Sequence, residues 1–209
     1  MNTKPILFLI SVTGIWAQEA VQVKPRGEFA KISTKLDTKI IPKLTSQDAK
    51  IRDVAISDVL SKPNKYAPPT LYLLSRVLFA AGRKSEAVRW FYTGQLRARY
   101  DANRCADHSA RQAVAVLNRE FGPEINKYAF TDKKLLKEAV FAALAFVTDN
   151  PEDYDHRWIN LHGMAAFTTE AGTVQNTPLS LPKAEWAKIK AKTIADYKEG
   201  FEDAYKQIP

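Results

Sequence analysis

The feature that most constrains the fold is the helical spacing of apolar residues through the middle of the chain. Between positions 68 and 148, apolar side chains recur every three or four residues, as Leu71, Leu74 and Val77 illustrate, and this spacing places them on one face of an α-helix. The chain has 209 residues, 45% of them hydrophobic, and a chain of this size buries a core without disulfide bonds. The sequence therefore predicts an all-α fold in the form of a compact multi-helix domain.

Capping residues, prolines and glycines between the apolar segments indicate where helices begin and end. They predict helices over 46–61, 68–81, 85–103, 107–121, 124–130, 133–148 and 158–168, and a last helix from about 182. We expect the Gly122-Pro123 pair to end the fourth of these helices. The helix over 133–148 is apolar almost all round, so we expect it to be the buried centre of the fold.

The residues around Gly82 carry a resemblance to a known repeat family. Gly82 is expected to end one helix, an acid-alanine pair at 86–87 opens the next, and aromatic residues follow at 90–91. This pattern resembles the turn and second helix of a tetratricopeptide repeat, and residues 70–103 span the 34 positions of that repeat. No second copy follows, and the closing proline of the repeat is missing at 105–106. The resemblance implies one antiparallel helical hairpin within a larger helical domain.

The N-terminal region has the character of an export signal. Lys4, the apolar residues 6–16 and Ala17 are typical of a secretory signal peptide, which predicts cleavage near Ala17 and a periplasmic mature protein. The alternative is a buried N-terminal strand or helix. The apolar run is shorter than the roughly 20 residues that span a bilayer, so no stable membrane insertion is expected.

The next segment, residues 18–44, is predicted to be an extended N-terminal arm. It is rich in lysine, shows no helical spacing and contains Pro25, Gly27 and Pro42. Short strands are expected around 29–32 and 39–41. The predicted organisation is therefore a signal peptide over 1–17, the arm over 18–44 and a single α-helical domain over 45–209.

Arginine is concentrated in one stretch of this basic chain, whose formal net charge is +8. Residues 76–119 contain eight of the eleven arginines. Arginine and tyrosine often carry binding energy at protein interfaces. On the helix over 85–103, one side opposite the apolar residues presents a predicted partner-binding patch: Arg89, Arg97, Tyr100 and Arg104. The alternative is that the arginines pair with acids of the same chain: Glu86, Asp101, Asp107 and Glu120.

The sequence offers no strong catalytic or metal-binding motif. The lone Cys105 excludes an internal disulfide, and we expect it to be a small buried residue, with a reactive thiol as the alternative. His156 lies in an acidic turn with Asp153 and Asp155. We expect a solvated turn there, with a general base or a cation site as the alternative. We predict no catalytic residue, no metal and no cofactor.

The predicted export and the arginine-rich helix favour a non-enzymatic periplasmic module that binds an acidic protein. One specific form is an immunity protein that occludes an envelope-directed toxin. Nucleic acid is not expected as a partner, because an exported protein rarely meets it. Two alternatives stay open: a periplasmic hydrolase acting on envelope polymers, which needs a cleft with convergent ionisable groups, and a scaffold protein of an envelope assembly.

Overall fold

The computed structural model describes residues 25–170 and 178–208. Its α-helices are α1 (Lys35–Leu44), α2 (Ala49–Ser61), α3 (Pro68–Ala80), α4 (Lys84–Arg104), α5 (Gln112–Ala129), α6 (Lys133–Asp149), α7 (Met164–Glu170) and α8 (Trp186–Gln207). Short 3-10 helices cover Gly27–Lys31, Pro63–Lys65, His108–Arg111, His156–His162 and Lys183–Glu185. One isolated bridge joins Cys105 to Ser180, and the described residues contain no β-strand. The all-α prediction is confirmed.

The predicted signal peptide over 1–17 lies outside the described residues, as do residues 18–24 of the predicted arm. Within the described part of the chain, no helix combines the length and the apolarity needed to cross a bilayer.

The centre of the fold is α4, which α3, α5, α6 and α8 surround. Of its 21 residues, 14 are buried. Its aromatic residues pack edge-on against neighbours, with ring centroids 5.4 Å apart for Phe91 and Tyr72 and also for Trp90 and Phe146. The prediction that the helix over 133–148 is the centre was wrong, because α6 buries one face and leaves Phe141 36% exposed.

The hairpin of α3 and α4 has the predicted helices and turn. Gly82 has a φ of 80°, a conformation that glycine adopts without strain. The Arg83 N–H donates to Leu78 O at 2.9 Å and the Gly82 N–H donates to Phe79 O at 3.1 Å, which is the Schellman ending of α3. Further along, Gly94 of α4 lies against Leu71 of α3, so the helices are antiparallel. The resemblance to a tetratricopeptide repeat stays a prediction.

The prediction of an extended arm over 18–44 was wrong for the second half of that segment. Residues 35–44 form α1, in place of a strand around 39–41, and a 3-10 turn covers most of 29–32. The Asp37 carboxylate accepts hydrogen bonds from Ala67 N at 3.0 Å and Thr70 Oγ1 at 2.6 Å, and so caps the first turn of α3. Burial raises the pKa of Asp37. This long-range contact fixes α1, and no local spacing could have indicated it.

Gly122 and Pro123 do not end a helix as predicted, because α5 continues through both to Ala129. A Cβ atom at position 122 would lie 3.2 Å from the Phe91 ring, so the glycine lets α5 pack closely on α4. Proline inside a helix removes one hydrogen bond and its ring clashes with the carbonyl four residues earlier, a loss of about 3 kcal/mol or more. The packing of α5 on α4 outweighs that loss and keeps the helix continuous.

The close approach of α3 and α4 at Gly94 predicts that a large side chain there destabilises the fold. In Gly94→Leu, added atoms would meet Leu71 and Tyr72 about 3.3 Å from the new Cβ. We expect the free energy of unfolding to fall by about 1–3 kcal/mol, measured by urea denaturation. The control is Gly200→Ala, where a Cβ meets nothing within 4 Å; it should leave stability unchanged or raise it by up to about 1 kcal/mol. Equal stability of the two variants would contradict the described packing.

Candidate functional site

Three of the four residues of the predicted partner-binding patch are buried, so the prediction of an exposed patch was wrong. Arg97 is fully buried, Tyr100 is 4% exposed and Arg104 is 3% exposed. Only Arg89 is exposed as predicted. The helical wheel placed the four residues on one side correctly, but α6, α8 and the segment over 150–158 cover most of that side. These side chains do not form a solvent-facing ridge.

Arg97 has no carboxylate partner among residues 25–170 and 178–208 and is held by backbone carbonyls. Its Nη1 donates to Pro63 O at 3.3 Å and its Nη2 donates to Asn150 O at 3.1 Å. The guanidinium also lies 4.9 Å from the centre of the Phe146 ring, a cation–π distance. Arg97 thus joins α4 to two connecting segments and to α6, which is a structural role.

Arg104 and Asp101 form a buried ion pair within α4. Arg104 donates from Nη2 and Nε to Asp101 Oδ1, at 2.6 Å and 3.2 Å. The other carboxylate oxygen accepts from Trp158 Nε1 at 2.7 Å and from Tyr154 OH at 2.9 Å. Burial raises the pKa of Asp101 to about 6, opposed by the Arg104 charge and the three donor side chains. The Arg104 guanidinium is stacked 4.1 Å from the centre of the Tyr100 ring.

The alternative that arginines pair within the chain is confirmed for three of them. Besides Arg104 with Asp101, Arg76 pairs with Glu120 at 3.0 Å and Arg83 pairs with Glu86 at 2.6 Å. The fourth acid, Asp107, instead accepts from Ser109 N at 2.9 Å and caps the turn that precedes α5.

The acidic turn around His156 does not bring its residues to one site. His156 Nε2 lies 2.8 Å from Ser180 Oγ, and burial, with the Arg104 charge, lowers the pKa of His156 to about 4. Asp155 binds Arg157 at 2.8 Å, whereas Asp153 lies 3.8 Å from Lys65. The histidine is half-buried and neutral at pH 7, so the expectation of a simply solvated turn was wrong in this respect.

Cys105 is buried, as predicted, and its thiol contacts Asn160 Oδ1 at 3.2 Å. Burial raises the pKa of this thiol to about 11, so it is protonated at pH 7 and a poor nucleophile. Among the residues that the structure describes, no three His, Cys, Asp or Glu side chains converge in a way that would hold a metal ion.

The candidate site is a groove between α5 and α8, with α4 as its floor. It has two adjoining lobes of about 460 and 350 Å³, which share Arg99, Asp196 and Tyr197. The first lobe, here the polar lobe, is further lined by Ala102, Asn103, Arg111, Val114, Ala115, Asn118 and Thr193. The second, the apolar lobe, is further lined by Tyr92, Gln95, Asn126, Phe130, Leu136, Gly200, Phe201, Ala204, Tyr205 and Ile208. The groove follows α8 for about 18 Å, the rise of twelve helical residues.

A chain of hydrogen bonds crosses the floor of the groove and fixes its walls. Tyr197 OH on α8 donates to Gln95 Oε1 on α4 at 2.5 Å. Gln95 Nε2 then donates to Asn118 Oδ1 on α5 at 2.8 Å, and the same oxygen accepts from Tyr72 OH on α3 at 2.7 Å. Because both bonds use the Asn118 oxygen, its amide NH₂ is the group left to donate to a ligand.

The polar lobe carries a net positive charge. Arg99 and Arg111 are exposed, and neither takes part in the ion pairs of the described residues. The Arg99 guanidinium lies 5.3 Å from the centre of the Tyr197 ring, a cation–π distance. The one acid of the lobe, Asp196, is already neutralised by Lys192 at 2.8 Å. Two guanidinium groups and an amide donor suit carboxylate ligands.

Arg99 and Arg111 belong to the arginine-rich stretch but lie outside the patch predicted from the sequence. Arg99 lies two positions after Arg97 and so points to another side of α4. Which side of α4 faces solvent depends on where α8 packs, and the sequence carries no local signal for that. The high arginine content was the only available indication.

Comparison of the chain with protein-family models, with curated proteins and with solved structures gives no match. The site is therefore interpreted from its own geometry.

The buried pair of Asp101 and Arg104 predicts a large loss of stability when one partner is removed. Asp101→Asn leaves the Arg104 charge buried without a carboxylate, so we expect the free energy of unfolding to fall by about 3–5 kcal/mol, measured by urea denaturation. The control is Asp196→Asn at the exposed pair with Lys192, which should change stability by less than about 1 kcal/mol. A small effect of Asp101→Asn would show that the pair is not buried as described.

The lowered pKa of His156 predicts a loss of stability in acid. The unfolded chain takes up a proton at an ordinary pKa of about 6.5, whereas the folded chain resists it down to about 4. The contribution of His156 is therefore complete above pH 6.5 and is lost as the pH falls from 6.5 towards 4. Between pH 7 and 4.5 the wild type should lose about 1–2 kcal/mol more than His156→Gln, allowing for partial exposure.

Urea denaturation at several pH values measures this difference. The comparison with His156→Gln isolates the histidine from the other titrating groups, which both proteins share, including Asp101. Parallel pH profiles of the two proteins would contradict the prediction.

Proposed function

We propose that the protein is a non-enzymatic binding module that captures an acidic protein partner in the groove between α5 and α8. The observation that carries this proposal is the pair of exposed arginines, Arg99 and Arg111, which form no ion pair with the described residues and line a groove whose walls are fixed by hydrogen bonds. A preorganised site loses less entropy when it binds a ligand.

The shape of the groove favours a segment of a protein over a small anion. A trough about 18 Å long is much longer than one carboxylate or phosphate, and it suits a peptide segment laid along helices. The positive charge of the polar lobe would attract an acidic segment and accelerate its association.

The same geometry argues against a nucleic acid as the partner. Single-stranded nucleic acid is bound by rows of cations and by aromatic faces open to the bases. Within the described part of the chain, the guanidinium groups that line the groove are those of Arg99 and Arg111, and Arg99 already lies over the ring of Tyr197. The half of the groove beyond Arg99 is mostly apolar.

The proposed setting is the periplasm, since the signal peptide predicted over 1–17 would export the protein. In that setting an immunity protein that occludes an envelope-directed toxin is one form of the proposed activity. It would bind a single toxin in a defined complex, whereas a scaffold protein would be recovered in a larger assembly.

Charge reversal at the two groove arginines should weaken binding of an acidic ligand. The variant is Arg99→Glu with Arg111→Glu, and the probe is a fluorescently labelled peptide of six glutamates. We expect affinity to fall by about tenfold or more, measured by fluorescence anisotropy at low salt. Circular dichroism should be unchanged, because both side chains are exposed.

The matched control is Arg89→Glu with Arg119→Glu, which reverses two exposed arginines outside the groove and changes the net charge equally. It should bind the peptide nearly as well as the wild type. If both double variants lose the same affinity, binding depends on net charge and the groove is not the site. Tighter binding of a single-stranded oligonucleotide than of the peptide would overturn the choice of a protein partner.

A further inference from the structure

Beyond Arg99 the groove changes from polar to apolar. The apolar lobe is formed largely by Phe130, Leu136, Phe201, Tyr205 and Ile208. Phe130 is 53% exposed, which is unusual for a phenylalanine in a folded protein. Half-buried Phe201 and Tyr205 of α8 pack against each other at 5.5 Å between ring centroids. Covering this concave apolar surface with another apolar group lowers the free energy, because both surfaces leave water.

The apolar lobe adjoins the site proposed for the acidic partner. Arg99, Asp196 and Tyr197 line both lobes, so the two lobes meet at these three side chains. The positive charge of the polar lobe favours an acidic ligand, and such a ligand lying along α8 would reach the apolar lobe. Charge complementarity in one lobe and the adjacency of the other therefore indicate the occupant.

We propose that one segment of the acidic partner fills both lobes, with carboxylates against Arg99 and Arg111 and apolar side chains in the apolar lobe. This proposal rests on the proposed function and specifies the kind of partner. The recognised segment is amphipathic along its length, with an acidic part and an apolar part in a fixed order.

The spacing of the two parts follows from α4, which forms the floor of both lobes. Arg99 in the polar part and Tyr92 in the apolar part are seven residues apart on this helix, or about 10 Å. An extended peptide covers that distance in about three residues and a helical one in about seven. The acidic end of the bound segment would point towards Arg111, at the start of α5.

Two labelled peptides of equal length and charge test the proposal by fluorescence anisotropy. One has the sequence Glu-Glu-Ser-Leu-Phe-Ser, and the other replaces its leucine and phenylalanine by serine. We expect the first to bind about tenfold or more tightly, because its two apolar side chains leave water. Equal affinities would overturn the apolar contribution and leave the acidic site itself intact.

A substitution in α8 tests whether the apolar side chains of the peptide bind in the apolar lobe. Gly200 lines this lobe, and a Cβ added there meets nothing within 4 Å, so Gly200→Leu fills part of the lobe without disturbing the core. It should remove the advantage of the Leu-Phe peptide over the all-serine peptide. Helix propensity predicts that the variant folds at least as stably as the wild type.

The matched control is Ala195→Leu, an exposed position of α8 that lines neither lobe. It should retain the full difference between the peptides. If Gly200→Leu and Ala195→Leu bind alike, the apolar lobe is not the contact and this proposal fails. A wild-type dimer that Gly200→Leu dissociates would also overturn it, because a second copy of the chain would then occupy the lobe.

If neither peptide binds and the peptide of six glutamates also fails, the proposed function falls together with this proposal. Binding of the six-glutamate peptide that is sensitive to Arg99→Glu with Arg111→Glu, without any gain from apolar residues, retains the function and rejects only the amphipathic partner.

Discussion

Asp101 carries its charge into the interior of the protein, and the arrangement around α4 depends on how that charge is satisfied. An isolated carboxylate in this position would be very costly. Here Arg104, Trp158 and Tyr154 surround it with donors at 2.6 to 3.2 Å. Two of these three residues come from the segment after α6, so the carboxylate holds that segment over α4.

Two arginines of α4 are likewise buried and held by contacts within the protein. Arg104 is enclosed between Tyr100 and Trp186, and Arg97 is held by the carbonyls of Pro63 and Asn150. Once the polar side of α4 is covered in this way, its remaining exposed arginine next to α8 is Arg99. The candidate groove is therefore a consequence of how Tyr100 and Arg104 hold the start of α8 at Trp186.

Helical spacing, turn residues and charge content predicted much of the fold from local information. The hairpin of α3 and α4 and its ending at Gly82 were predicted because a Schellman ending and an apolar stripe depend on neighbouring residues only. The errors were at places where distant contacts decide. Asp37 stabilises α1 through Ala67 and Thr70, and close packing of Gly122 on Phe91 carries α5 through Pro123. Such contacts have no signature in the local sequence.

For the candidate site too, the sequence determined some features and the tertiary structure decided others. The sequence alone determined that the protein is helical, basic and unusually rich in arginine between residues 76 and 119. It also placed Arg89, Arg97, Tyr100 and Arg104 on one side of one helix. Only the tertiary structure decided that this side is mostly buried and that Arg99 and Arg111 face a groove. The physical reason is that a helix has several polar positions around its circumference, and which of them reach water depends on where the other helices pack.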